Sequence, residues 1–100
     1  MGMSYINYCR TWGQDMASTE IDEVFQINNQ LPFCEDRYIA LASLFKLRTP
    51  HLARQAFQRV IDSSKSYYWM ARASEGLLSL AETETGLRGL EKAIDAANCT

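Results

Sequence analysis

Apolar residues recur at three- and four-residue intervals along nearly the whole chain, the spacing of one face of an α-helix. The pattern is clearest between residues 35 and 64. Tyr38, Leu41, Ala42 and Phe45 form one stripe, and Ala53, Phe57 and Val60 form a second. Thr49-Pro50 separates them. Proline fits the first helical position, where its missing N–H costs nothing, and Thr49 is the predicted N-cap, its hydroxyl accepting from the free first-turn amides. The small residues Ala42 and Ala53 are expected to let the two backbones approach closely.

The same reading extends in both directions. Residues 4–15 place Tyr5, Tyr8, Cys9 and Trp12 at helical spacing, with Gly13 near the end. Ser18-Thr19 is the next predicted N-cap. Glu20, Asp22 and Glu23 follow it, acids at the positive end of the helix dipole. Ile21, Val24, Phe25 and Asn28 make the buried stripe of that second helix. Gln30-Leu31-Pro32 ends it, because the residue before proline disfavours helical geometry. A fifth helix covers residues 67–81 and is apolar on more than one face, so neighbours enclose it or it offers a face to a partner. Thr83 or Thr85 caps a sixth, with Leu87, Leu90, Ala93, Ile94 and Ala97 as its stripe. No alternating run is long enough for a strand. The prediction is an all-α chain of about six helices.

Composition narrows the function more than the fold. The charged fraction of 22% and apolar fraction of 47% are ordinary for a globular chain, and 100 residues fit one domain, 1–100. A net charge of −2 argues against a general nucleic-acid binder, which normally carries a basic face. No apolar run reaches the roughly 18 residues of a membrane span, and no basic region followed by an apolar stretch marks a signal peptide. Cys9, Cys34 and Cys99 are widely spaced, and His51 is the single histidine, so a zinc site of about four clustered ligands is not expected. Reduced thiols suit a cytoplasmic protein. His51 follows Pro50 in a first helical turn and no phosphate-cradling glycine loop is present. No catalytic residue and no cofactor is expected.

The helices also repeat. The first helix of each pair shows a large residue, a second three later, a small one at once, and a large one three further on. This gives Tyr5, Tyr8, Cys9, Trp12, then Tyr38, Leu41, Ala42, Phe45, then Met70, Ala73, Ser74, Leu77. The second helices give Ile21, Phe25, Asn28, then Ala53, Phe57, Val60, then Gly86, Leu90, Ala93. Successive copies lie 32 or 33 residues apart. This resembles the tetratricopeptide repeat, whose unit is near 34 residues. The copies span roughly 4–32, 35–65 and 67–98. Ile21 and Asn28 depart from the usual small residues, and each copy is a residue or two short. A non-repetitive helical bundle is the alternative.

The resemblance implies three stacked antiparallel hairpins, with a concave face lined by the first helix of each pair. That face would include Ile6 and Arg10, then Asp36, Ile39, Ser43 and Leu47, then Tyr68, Ala71, Arg72, Glu75 and Leu78. It is expected to be mixed, with an apolar centre suited to an amphipathic helix or extended hydrophobic segment of another protein. Ile39 and Ala71 could equally pack against neighbouring helices. Tyr67-Tyr68-Trp69 points in three directions on a helix, so at least one ring should stay exposed or lie at an interface. Ala42, Ala53 and Phe57 should be the most buried residues. The segments RYIALASL and SYYWMARASEGLLSLAETETGLRGL also resemble small chaperones of the type III secretion needle subunit, which would imply a secreted subunit and a co-chaperone as partners. The alternative function is a structural protein that homodimerises through exposed apolar helix faces.

Overall fold

The computed structural model describes residues 17–98, which are all-helical, with no strand among them. Five helices follow in order: α1 (Ser18–Gln30), α2 (Glu35–Phe45), α3 (Pro50–Ser63), α4 (Tyr67–Ser79) and α5 (Thr83–Asn98). The helix expected at residues 4–15 lies outside the described residues, so five of the six expected helices can be compared.

Most boundaries follow the local signals. Leu31 takes an extended conformation before Pro32 and ends α1. Pro50 opens α3 at its first position. The caps differ from expectation. Ala17 precedes α1, and its carbonyl accepts from Glu20 and Ile21, so Ser18 and Thr19 are already inside the helix. Thr49 makes no side-chain cap. Its hydroxyl turns back to donate to the Phe45 carbonyl at 3.3 Å, and its own carbonyl accepts from Leu52 and Ala53. The tight exit from α2 draws the hydroxyl away from the amides of α3.

The core cluster is built by α1 to α4, and Ala93 adds a buried residue from α5. Ala42 and Ala53 have no accessible surface, and Phe57 keeps only 1%. Around them lie Ile21 and Phe25 of α1, Tyr38 and Phe45 of α2, Val60 and Ile61 of α3, and Ala73 and Leu77 of α4. Phe25 meets Phe45 edge-to-face at 6.1 Å between ring centres. Each helix packs on the next in sequence, and α2 also packs on α4, and α3 on α5. Cross-links give the directions. Lys46, just past α2, bonds Ser79 at the end of α4. Arg54 and Asp62 of α3 pair with Glu82 and Lys92, before and within α5, at 3.8 and 3.9 Å. α2 therefore runs parallel to α4, and α3 to α5.

Helices approach closely at three glycines. A Cβ at Gly86 would stand 2.8 Å from Leu78 Cδ2, and one at Gly89 would meet Ser74 Oγ, with Ile61 Cδ1 at 2.6 Å. Pairing 86 with 78 and 89 with 74 makes α4 and α5 antiparallel. A Cβ at Gly76 would stand 2.6 Å from Phe57 Cε2 and closer still to the ring's tip. These contacts fix the phase of α5. Gly86, Gly89 and Ala93 face inward, whereas Leu87 is 51% and Ile94 59% exposed. The stripe expected at Leu87 and Ile94 is corrected accordingly: Ser74 and Ile61 fill the space that larger inward side chains would need.

α4 ends at Ser79 rather than at residue 81. Glu82 N–H donates to Leu77 O and Ala81 N–H to Leu78 O, both at 3.0 Å, the paired bonds that close a helix through a left-handed residue. That residue is Ala81, with φ 62°. A Cβ is disfavoured there by about 1 kcal/mol or more. We expect Ala81→Gly to raise stability by roughly 0.5–1 kcal/mol, a rise in melting temperature of about 3–6 °C for a domain of this size. A lower melting temperature for Ala81→Gly would count against this turn.

Candidate functional site

The expected binding face rests on α2 and α4. With their inner sides committed to the core, the outward positions of α2 are Asp36, Ala40, Ser43, Leu44 and Leu47, the last just beyond its end. Those of α4 are Tyr67, Tyr68, Arg72, Glu75 and Ser79. The parallel packing of α2 and α4, bridged by the Lys46–Ser79 hydrogen bond at 3.3 Å, puts these positions on adjacent helices.

The predicted residues do not all reach that surface. Ser43, Tyr68, Arg72 and Glu75 are exposed, and Leu47 is 89% exposed. Ala71 and Leu78 are half-buried. Leu78 lies over Gly86 and so belongs in part to the α4–α5 contact. Ile39 is packed, 8% exposed and within the core. Ile6 and Arg10 lie outside the described residues.

The face therefore differs in polarity from the expectation. With Ile39 sunk and Ala71 half-covered, its middle is polar: Ser43, and the Arg72–Glu75 pair at 3.7 Å. Both members of that pair are more than half exposed, so it adds little stability and stays available to a ligand. Large apolar groups stand at the two ends. Leu44 and Leu47 are at the C-terminal end of α2, and Tyr67 and Tyr68 open α4 at 54% and 55% exposure. The Tyr68 ring stands edge-on to half-buried Trp69, 5.0 Å between centres. This contact limits its motion and lowers the entropy cost of using it as a contact.

A separate cavity of about 340 Å³ lies among α1, α2 and α3, lined by Phe25, Asn29, Tyr38, Leu52, Gln55, Ala56 and Arg59. Tyr38 Oη is already engaged, donating to Asn29 Oδ1 at 3.1 Å, and Arg59 lies over the Phe33 ring at 5.9 Å. Among the described residues, no carboxylate, thiol or imidazole lines this cavity. His51 is exposed in the first turn of α3. Among the described residues no cluster of His, Cys, Asp and Glu could hold a metal ion, and no helix is long and apolar enough to cross a membrane.

Near the cavity, Asn28 is 2% exposed. Its Oδ1 accepts from Arg37 Nε, and Arg37 also donates to the Pro32 carbonyl. The sequence placed Asn28 on a buried stripe but gave no sign of Arg37 as its partner, because the two lie on different helices. It also missed Leu44, and the exposed side of α5. The glycines at 86 and 89 were the available signal there, since small residues mark a close helix contact.

No family model matches this chain, and no curated protein or solved structure is significantly similar to it.

Proposed function

We propose that the chain is a non-catalytic interaction module, a stack of antiparallel helical hairpins of the tetratricopeptide kind, that holds a segment of another protein across the α2–α4 face. The observation that carries this reading is the exposure of large apolar and aromatic side chains on two adjacent helices whose inner faces are filled. Leu44, Leu47, Tyr67 and Tyr68 range from 41% to 89% exposed, against 0–8% for the buried residues of the same helices. Large apolar side chains left exposed near one another, aromatic ones above all, mark partner surfaces. The parallel directions of α2 with α4 and of α3 with α5 support the stack. So does the roughly 30-residue separation of the pairs that link them.

The polar middle refines the bound segment. Ser43, Arg72 and Glu75 suit a segment with polar groups between two apolar anchors, better than one apolar throughout. The narrower resemblance to type III secretion chaperones would make it the amphipathic helix of a self-assembling subunit, held in the cytoplasm by a groove that blocks its premature assembly.

The test uses a photocrosslinking residue at Ser43 to identify the bound protein in cells, followed by titration of the purified pair. Tyr68→Asp and Leu47→Asp should each weaken binding at least about tenfold, as expected when an interface anchor is lost, with the melting temperature unchanged. Unchanged affinity in both would overturn the proposed face. Leu78→Asp is a poorer probe because Leu78 also supports α5.

A further inference from the structure

A second surface lies on α5. Leu87 and Ile94 are exposed, with half-buried Leu90 between them, at the i, i+3, i+7 spacing of one helix face. The chain's own repetition gives this stripe a meaning. Leu90 and Ile94 lie 33 residues beyond Phe57 and Ile61 of α3. Phe57 and Ile61 are 1% and 2% exposed because the next two helices cover them, with a glycine at each contact: Gly76 over Phe57 and Gly89 over Ile61. The same positions one hairpin later keep their large apolar residues and, among the described residues, have no helix over them.

The charge beside the stripe selects the occupant. Glu91 lies between Leu87 and Ile94 on the outer flank, one turn from each, and Asp95 follows it. Neither makes an ion pair among the described residues. The cations of α5 are committed elsewhere: Arg88 pairs with Glu84 at 3.0 Å, and Lys92 with Asp62 of α3 at 3.9 Å. A second copy laid antiparallel on this face about a two-fold axis would set Glu91 and Asp95 against acids of their own kind. We propose that the Leu87–Leu90–Ile94 stripe docks an amphipathic helix of a partner protein that carries a small residue over Leu90 and a Lys/Arg row facing Glu91 and Asp95.

The position of this surface rests on the stacked-hairpin reading, but its test does not involve the α2–α4 face, so either can fail alone. The probes are two synthetic 18-residue helical peptides with the same Leu/Ala face, one flanked by lysines and the other by glutamates. Each is titrated into the full chain by fluorescence anisotropy. The lysine peptide should bind at least about tenfold more tightly, and the preference should shrink as salt rises. Glu91→Lys with Asp95→Lys should reverse it. Ile94→Glu is the decisive variant. It adds negative charge, so purely electrostatic attraction would strengthen, whereas docking on the stripe should weaken at least about tenfold. Stronger or equal binding by Ile94→Glu would overturn the proposal. So would a melting temperature that falls by more than a few degrees in that variant, since Ile94 would then be core. A free chain that sediments as a dimer split by Ile94→Glu would overturn it too, assigning the stripe to a second copy.

Discussion

Phe57→Ala should cost about 3–5 kcal/mol of folding free energy, the usual loss for a buried phenylalanine, and lower the melting temperature by roughly 15–30 °C. The ring is 1% exposed and sits at the centre of the core, with the backbone of α4 at Gly76 directly over it. Truncation leaves a void roofed by helix backbone rather than by side chains, which can refill it only by moving a whole helix. A domain of this size has about 5–15 kcal/mol in total, so the variant would be near the edge of folding. Urea titration followed by circular dichroism measures the loss. The geometry also sets a coupling. Gly76→Ala alone brings a methyl group against the ring and should destabilise. In the Phe57→Ala background the same methyl enters the void, and the helix gains up to about 1 kcal/mol from losing a glycine. The change should therefore reverse sign between the two backgrounds. A Phe57→Ala loss below about 1 kcal/mol, or a Gly76→Ala effect of one sign in both backgrounds, would refute this account of the core.

That core was legible in the sequence because it depends on spacing. Tyr38, Ala42, Phe45, Ala53, Phe57 and Val60 fall at helical intervals, and all are 0–3% exposed. Features that depend on contact between helices were legible only in part. Thr49 is a good cap former by residue type, yet its hydroxyl bonds the Phe45 carbonyl, which local chemistry alone could not decide. For α5 two readings of the sequence stood side by side: a stripe of Leu87, Leu90, Ala93, Ile94 and Ala97, and the repeat positions Gly86, Leu90 and Ala93. Hydrophobicity favoured the first. Close approach to α4 selects the second, because Ser74 and Leu78 leave room only for glycine. Within the candidate face, Ile39 depends on the same kind of contact. Ile39 and Ser43 lie one turn apart on α2, and packing takes the first into the core while leaving the second exposed.

The α4–α5 contact can be tested at Gly89. Gly89→Ala should destabilise by about 1–3 kcal/mol, although alanine is the better helix former by up to about 1 kcal/mol. The new methyl would meet Ser74 Oγ, with Ile61 Cδ1 at 2.6 Å and Ser74 Cβ at 3.2 Å. Ser74 has no accessible surface and Ile61 2%, so neither can swing into solvent. The direction of relief is specific. Ser74→Ala removes the nearest atom, and Ile61→Val removes the next. The Ser74 hydroxyl only donates back to the Met70 carbonyl at 2.7 Å, so its loss should cost little in an otherwise normal chain. Gly89→Ala combined with both changes should thus be more stable than the sum of the single effects predicts, by about 1 kcal/mol or more, a coupling of the size found for residues in direct contact. Additive losses across this cycle, measured by thermal and urea melts, would mean that α5 meets α4 elsewhere. The inward phase of Gly86 and Gly89 would then be wrong, and with it the outward exposure of Leu87 and Ile94.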